Sequence, residues 1–130
     1  MPFLTSFKID FIPSSDNIQL TAPLAYSCPR TTQTYIVPAG FISDGASIPR
    51  VLWPLIGRPF DHRWRKEAVL HDFFYRAPVD IVDRKTADLM FYDSLRANGL
   101  RRSKAQAMYL GVRAGGWVAW KKNRAQKNER

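Results

Sequence analysis

The chain has 130 residues, with 20 Lys and Arg against 11 Asp and Glu, one Cys and 45% hydrophobic residues. Such a length fits one domain with a tail, and that hydrophobic content excludes wholesale disorder. A single Cys excludes an intramolecular disulfide framework and a Cys-rich zinc site, and no apolar run approaches the ~18 residues of a membrane span.

The first 45 residues read as strands. Phe3, Phe7, Ile9 and Phe11 fall at odd positions, and Ile18, Leu20, Ala22, Leu24 and Tyr26 alternate with mostly polar residues. This period of two predicts half-buried strands. Pro13–Asn17 is a turn cluster between them, and Thr34–Val37 is a third strand that Pro38-Ala39-Gly40 breaks and Phe41-Ile42-Ser43 resumes. Cys28 reads as a plain buried thiol.

From residue 48 the signals become helical. Pro54 limits residues 48–54 to short turns. Asp61 is placed to cap a helix running from His62 to about Arg76, which Pro78 stops. Asp80 is read as the cap of a second helix, with Asp83 in its first turn and Asn98-Gly99 as its stop. Ser103 and Gln106 have capping-box spacing for a third helix. That helix carries Met108, Val112, Trp117 and Trp120 as a core-facing stripe and frays into Lys121–Arg130. Gly115-Gly116 either weakens it or admits a close neighbour. Strands followed by helices predict an α+β domain over residues 1–120: a small antiparallel sheet, then a layer of three helices, the first two a hairpin. Residues 121–130 are expected to be a flexible basic tail.

The segment richest in chemistry is Ala68–Tyr75. On a helix, Trp64, Ala68, His71 and Tyr75 share one face, so His71 points inward and needs a partner. Asp88 shares a face of the next helix with Phe91, Tyr92 and Leu95. A short connection makes the two helices antiparallel neighbours, and at ~1.5 Å per residue His71 and Asp88 sit ~8 and ~10 Å from it. They can therefore meet, with Tyr75 one turn away donating to the same carboxylate. Such a pair fixes the imidazole tautomer and makes it a general base, or else locks two helices together.

Other residues invite weaker readings. Asp72, turned about 100° from His71, can ligate a hard cation. Within Asp44-Gly45-Ala46-Ser47, Gly45 suits a tight turn and Ser47 a helix cap. Alternatively, Asp44 and nearby carbonyls are metal or substrate ligands opposite His71. No G-x-S-x-G elbow supports Ser47 as a nucleophile. His62 starts the same helix as His71, ~13 Å along the axis, too far to share one metal ion.

His71-Asp72-Phe73-Phe74-Tyr75 followed by Ala87-Asp88-Leu89-Met90-Phe91 resembles the catalytic helices of secreted, sn-2 cleaving phospholipases and their parvoviral relatives. The resemblance implies His71 as the base, Asp88 as the acid that orients it, Tyr75 as support and Asp72 as a calcium ligand. That family's glycine-rich calcium loop has its nearest counterpart here in Gly40–Ser47, with a different glycine spacing. Over residues 35–120 the chain also resembles an uncharacterised family of small bacteriophage and prophage proteins. The residues that carry this second resemblance are Asp44-Gly45-Ala46-Ser47-Ile48-Pro49-Arg50, His71-Asp72-x-x-Tyr75, Ala87-Asp88, Tyr109 and Trp120. Within the first of these runs Gly45, Ser47 and Arg50 are expected to be substrate or loop residues.

Charge is lopsided. Residues 101–130 hold nine basic residues and one acidic residue, nearly the whole net charge of +9. A basic end suits anionic lipid, nucleic acid or another phage protein as partner. The N-terminus lacks a basic start and a continuous apolar core, so no signal peptide is expected. Host cytoplasm or an assembled phage particle is the expected location. The expected function is a phage-encoded, phospholipase-like ester hydrolase, calcium-assisted through Asp72 and Asp44. The alternative is a non-enzymatic structural or assembly protein of the phage.

Overall fold

The computed structural model describes residues 3–13, 15, 17–43, 64–77 and 80–128, the last five of these by backbone alone. Asp44, Gly45, Ser47, Arg50, Asp61 and His62 lie outside the described residues. The chain divides into two compact units, residues 1–44 and 45–130.

The first unit is antiparallel β-structure. Strands β1 (Ile9–Phe11), β2 (Ile18–Leu20) and β5 (Ile42–Ser43) form one sheet in the order β1-β2-β5, with Ile9 opposite Leu20 and Ile18 opposite Ser43. Strands β3 (Leu24–Cys28) and β4 (Gln33–Val37) form a separate hairpin, with Tyr26 opposite Tyr35. The alternation expected over residues 18–26 holds, since Ile18, Leu20, Leu24, Tyr26 and Cys28 are all buried. It spans two strands of different sheets, however, interrupted at Thr21–Pro23, where Pro23 has no N–H to give a ladder.

The second unit is helical, with four helices among the described residues: α1 (Arg65–Arg76), α2 (Arg84–Ala97), α3 (Arg102–Gly115) and α4 (Trp117–Asn128). Together the units make the α+β class. Helix α1 ends at Ala77, whose ψ of 143° is the extended conformation that Pro78 imposes on its predecessor.

Asp83, not Asp80, caps α2: its carboxylate accepts from the Thr86 N–H at 2.9 Å. Three residues separate cap and donor, the spacing this bond requires. The helix stops in a Schellman turn. Gly99, at φ +92°, donates to the Arg96 carbonyl, and Leu100 donates to the Leu95 carbonyl. Leu100 then packs on the cluster containing Leu95, the apolar contact that usually completes this motif.

Helix α3 starts at Arg102 with no side-chain cap, so Ser103 and Gln106 are exposed helical residues and not a capping box. The tight exit from Gly99 resumes helix three residues on, before Ser103 can act. The expected third helix is two. They join at Gly116, yet backbone bonds from Gly116 N–H to Val112 and from Trp120 N–H to Gly116 carry the helical path across the joint.

Trp64, Ala68, Phe91, Leu95, Ala105, Met108 and Val112 form the core cluster of this unit. Trp64 and Ala68 meet the later part of α2 while Tyr75 meets Asp88 in its earlier part, so α1 and α2 are antiparallel as expected. Trp117 departs from the expected core stripe and is 49% exposed. Among the described residues no helix is long and apolar enough to cross a membrane.

Candidate active site

Asp88 is the hub of the helical unit. It is fully buried, and four side chains converge on it from three helices. His71 Nε2 lies 2.7 Å from Asp88 Oδ1, and the Tyr75 hydroxyl donates to the same oxygen at 2.6 Å. Arg113 Nη1 donates to Oδ2 at 3.0 Å, with Arg84 Nη1 farther off at 3.5 Å. Each placement follows from the local sequence. His71 and Tyr75 are one turn apart on α1, and Arg84 precedes Asp88 by one turn on α2. Arg113 comes from the end of α3.

Burial alone would push the Asp88 carboxyl up. The bond and charge of His71, with the bonds from Tyr75 and Arg113, outweigh it and hold the group below the usual carboxylate range. Asp88 is therefore ionised, and its Oδ1 faces His71 Nε2 while accepting from the Tyr75 hydroxyl. Tyr75 is pushed far above the usual phenol range, first by burial and then by the Asp88 charge, so it remains a donor. The His71 ring is clamped between Tyr75 and Phe91, with centroids at 4.4 and 4.8 Å.

The framework extends outward. Arg84 also donates to the carbonyls of Val112 and Arg113 at 3.3 and 3.2 Å, tying α2 to the end of α3. Asn123 donates to the Tyr75 carbonyl at 3.0 Å, satisfying an acceptor in the last turn of α1. Trp120 packs edge-on against Tyr75 at 5.1 Å.

The structure thus brings His71, Asp88 and Tyr75 together. Asp72 is buried beside them in sequence, with Oδ2 3.6 Å from Arg76. Asp44, Gly45, Ser47 and Arg50 fall outside the described residues. Among the described residues no group of three or more His, Cys, Asp or Glu could hold a metal ion.

Three participants were missed from sequence. Arg84 was detectable from its i,i+4 spacing to Asp88. Arg113 carried no local signal, because only the packing of α3 brings it in. Glu67 lies on the same helical stripe as Trp64 and His71, yet it is fully buried, and among the described residues neither carboxylate oxygen has a hydrogen-bond partner. Burial pushes its carboxyl up to about 7.

Over residues 18–112 the sequence matches a family described as "Protein of unknown function (DUF1353)". The chain belongs to this family. The matched segment includes His71, Tyr75, Arg84 and Asp88 and stops one residue before Arg113. The chain is similar to two uncharacterised proteins of Sinorhizobium fredii. It is 42% identical to y4jT over 78 residues, which is 58% of this chain and 22% of that protein. It is 36% identical to y4iH over 74 residues, which is 57% of this chain and 30% of that protein. The chain therefore spans under a third of the length of either relative. No solved structure matches it.

Proposed function

We propose that this DUF1353 protein is a phage-encoded ester hydrolase whose base is His71. The observation that carries the reading is the pairing of His71 Nε2 with the ionised Asp88 at 2.7 Å, reinforced on the same oxygen by Tyr75. A carboxylate on one ring nitrogen fixes the tautomer and favours the imidazolium that forms when the other nitrogen takes a proton. In the proposed step Nδ1 removes a proton from water as the water oxygen bonds to the ester carbonyl carbon. The carbon–alkoxide bond then breaks, and His71 returns the proton to the leaving alkoxide. The pattern of His, adjacent Asp, Tyr and later Asp resembles sn-2 cleaving phospholipases, so a phospholipid ester is the substrate class to test.

Calcium is part of this proposal. Asp72 would be its side-chain ligand, and the ion would polarise the ester carbonyl. The location that accompanies this reading is host cytoplasm or the phage particle.

A second reading, a non-enzymatic structural or assembly protein of the phage, is favoured by one observation: His71 is 1% exposed, and Asp88 and Tyr75 are fully buried. A sealed network of this kind locks helices without meeting a substrate.

The test is hydrolysis of phospholipid vesicles and of a soluble ester by wild type and His71→Gln, with calcium and with chelator. Hydrolysis that is lost in folded His71→Gln supports the enzyme. A folded wild type inert under every condition leaves the structural role.

A further inference from the structure

We propose that the solvent face of α3 and α4 seats on an anionic phospholipid surface. Because the helical path continues through Gly116, residues 103, 106, 110, 114, 117 and 121 recur at intervals of three and four and form one stripe. All six are exposed. The opposite side carries the buried Ala105, Met108 and Val112, so the stripe faces away from the core of its unit.

The composition of that stripe identifies its occupant. Its middle is apolar: Leu110 is 59% exposed, Trp117 49%, and Val118, beside them, 56%. Cations flank it: Arg101 and Arg102 are exposed at the start of α3, and Lys122 is exposed on α4 beside the stripe's own Lys121. From Arg102 to Lys121 the helical path covers ~29 Å. Lys121 Nζ lies over the Trp117 ring, 5.4 Å from its centre, so a cation and an indole are paired on this face. The sole acidic residue from position 101 onward is Glu129.

An indole and two aliphatic side chains gain from entering the headgroup–acyl boundary, and cations at both ends gain from lipid phosphates. A nucleic-acid backbone would reward the cations but leave Leu110 and Val118 with nothing to bury against. The inference does not depend on the hydrolase reading, because no residue of the stripe touches the Asp88 hub.

The test is flotation of the full chain with vesicles of phosphatidylglycerol or of phosphatidylcholine. Wild type is expected to float with the first and far less with the second, with binding that falls as salt rises. Leu110→Ala/Trp117→Ala, which keeps every charge, should lower the partition coefficient about tenfold or more. Lys121→Gln/Lys122→Gln should weaken binding and flatten its salt dependence. His71→Gln should bind like wild type, so that a failure of hydrolysis and a failure of membrane binding are separable. Equal partitioning of wild type and Leu110→Ala/Trp117→Ala would overturn the proposal, as would absence of wild-type binding to phosphatidylglycerol. Duplex DNA that displaces the protein from vesicles and binds the apolar variant undiminished would also overturn it. Should that variant unfold, brominated phosphatidylglycerol decides with wild type: quenched tryptophan emission supports the seat, and unchanged emission rejects it.

Discussion

The hydroxyl of Tyr75 stands 2.6 Å from the point that a β-carbon on Gly116 would occupy. A glycine at the joint of α3 and α4 is thus what lets Tyr75 reach Asp88. The same joint lets Trp120 pack on Tyr75 and Asn123 cap its carbonyl. Gly116→Ala should push Tyr75 away from the carboxylate. The expected loss is about 1–3 kcal/mol, only partly offset by the better helix propensity of Ala. A urea double-mutant cycle checks this: Tyr75→Phe removes one of two obstructing oxygens and leaves the Val112 carbonyl, 2.5 Å from the same point, so Gly116→Ala should cost less in that background without becoming neutral. Additive costs would place the obstruction elsewhere.

Asp88→Asn should destabilise the helical unit by about 3 kcal/mol. The amide would offer at least one donor where the carboxylate accepts from His71, Tyr75 and Arg113, leaving buried donors facing another donor. Thermal and denaturant unfolding measure the loss. A melting temperature equal to wild type would contradict the hub.

Glu67 makes a prediction of opposite sign. Its carboxyl is raised from 4.5 to about 7 by burial. Between those values the unfolded chain releases the proton while the folded chain retains it. The folded state therefore binds more protons, and the Glu67 contribution to stability falls as pH rises through this window, levelling off above about 7. Glu67→Gln abolishes that slope. Its stability relative to wild type should improve by up to about 3 kcal/mol between the two ends of the window. Parallel pH profiles of the two proteins would show that Glu67 is not a buried acid. Asp88, held low, acts in the other direction and in a separate window: its contribution is present above the ordinary carboxylate value and lost as pH falls through its own lowered one.

The helix starts can be tested with two alanines. Asp83→Ala removes the bond to the Thr86 N–H and should cost about 1 kcal/mol. Ser103→Ala touches an exposed helical position with no capping bond and should change stability by less than about 0.5 kcal/mol. Denaturant midpoints of both variants check the pair. A larger loss at Ser103 would restore it as a cap.

What the sequence determined by itself was whatever depends on local periodicity. Alternation marked Ile18, Leu20, Leu24 and Tyr26 as buried strand positions, and helical spacing put His71 and Tyr75 on one inward face. A short connection between two helices was enough to bring Asp88 opposite them, because an antiparallel pair has few registers. Tertiary structure decided what comes from far along the chain. Arg113 enters the hub from a third helix, 25 residues after Asp88, and no spacing rule anticipates it. The exposure of Trp117 was equally invisible, whereas the strand break at Thr21–Pro23 had a local signal in Pro23, and only the pairing of the flanking strands showed that they join different sheets. Alternation does not say which sheet a strand joins, and an aromatic at helical spacing suits a core or a solvent face until its neighbours are placed. Asp83 took the cap from Asp80 for a local but competitive reason: both residues suit the role, and the one three positions before an available N–H obtained the bond.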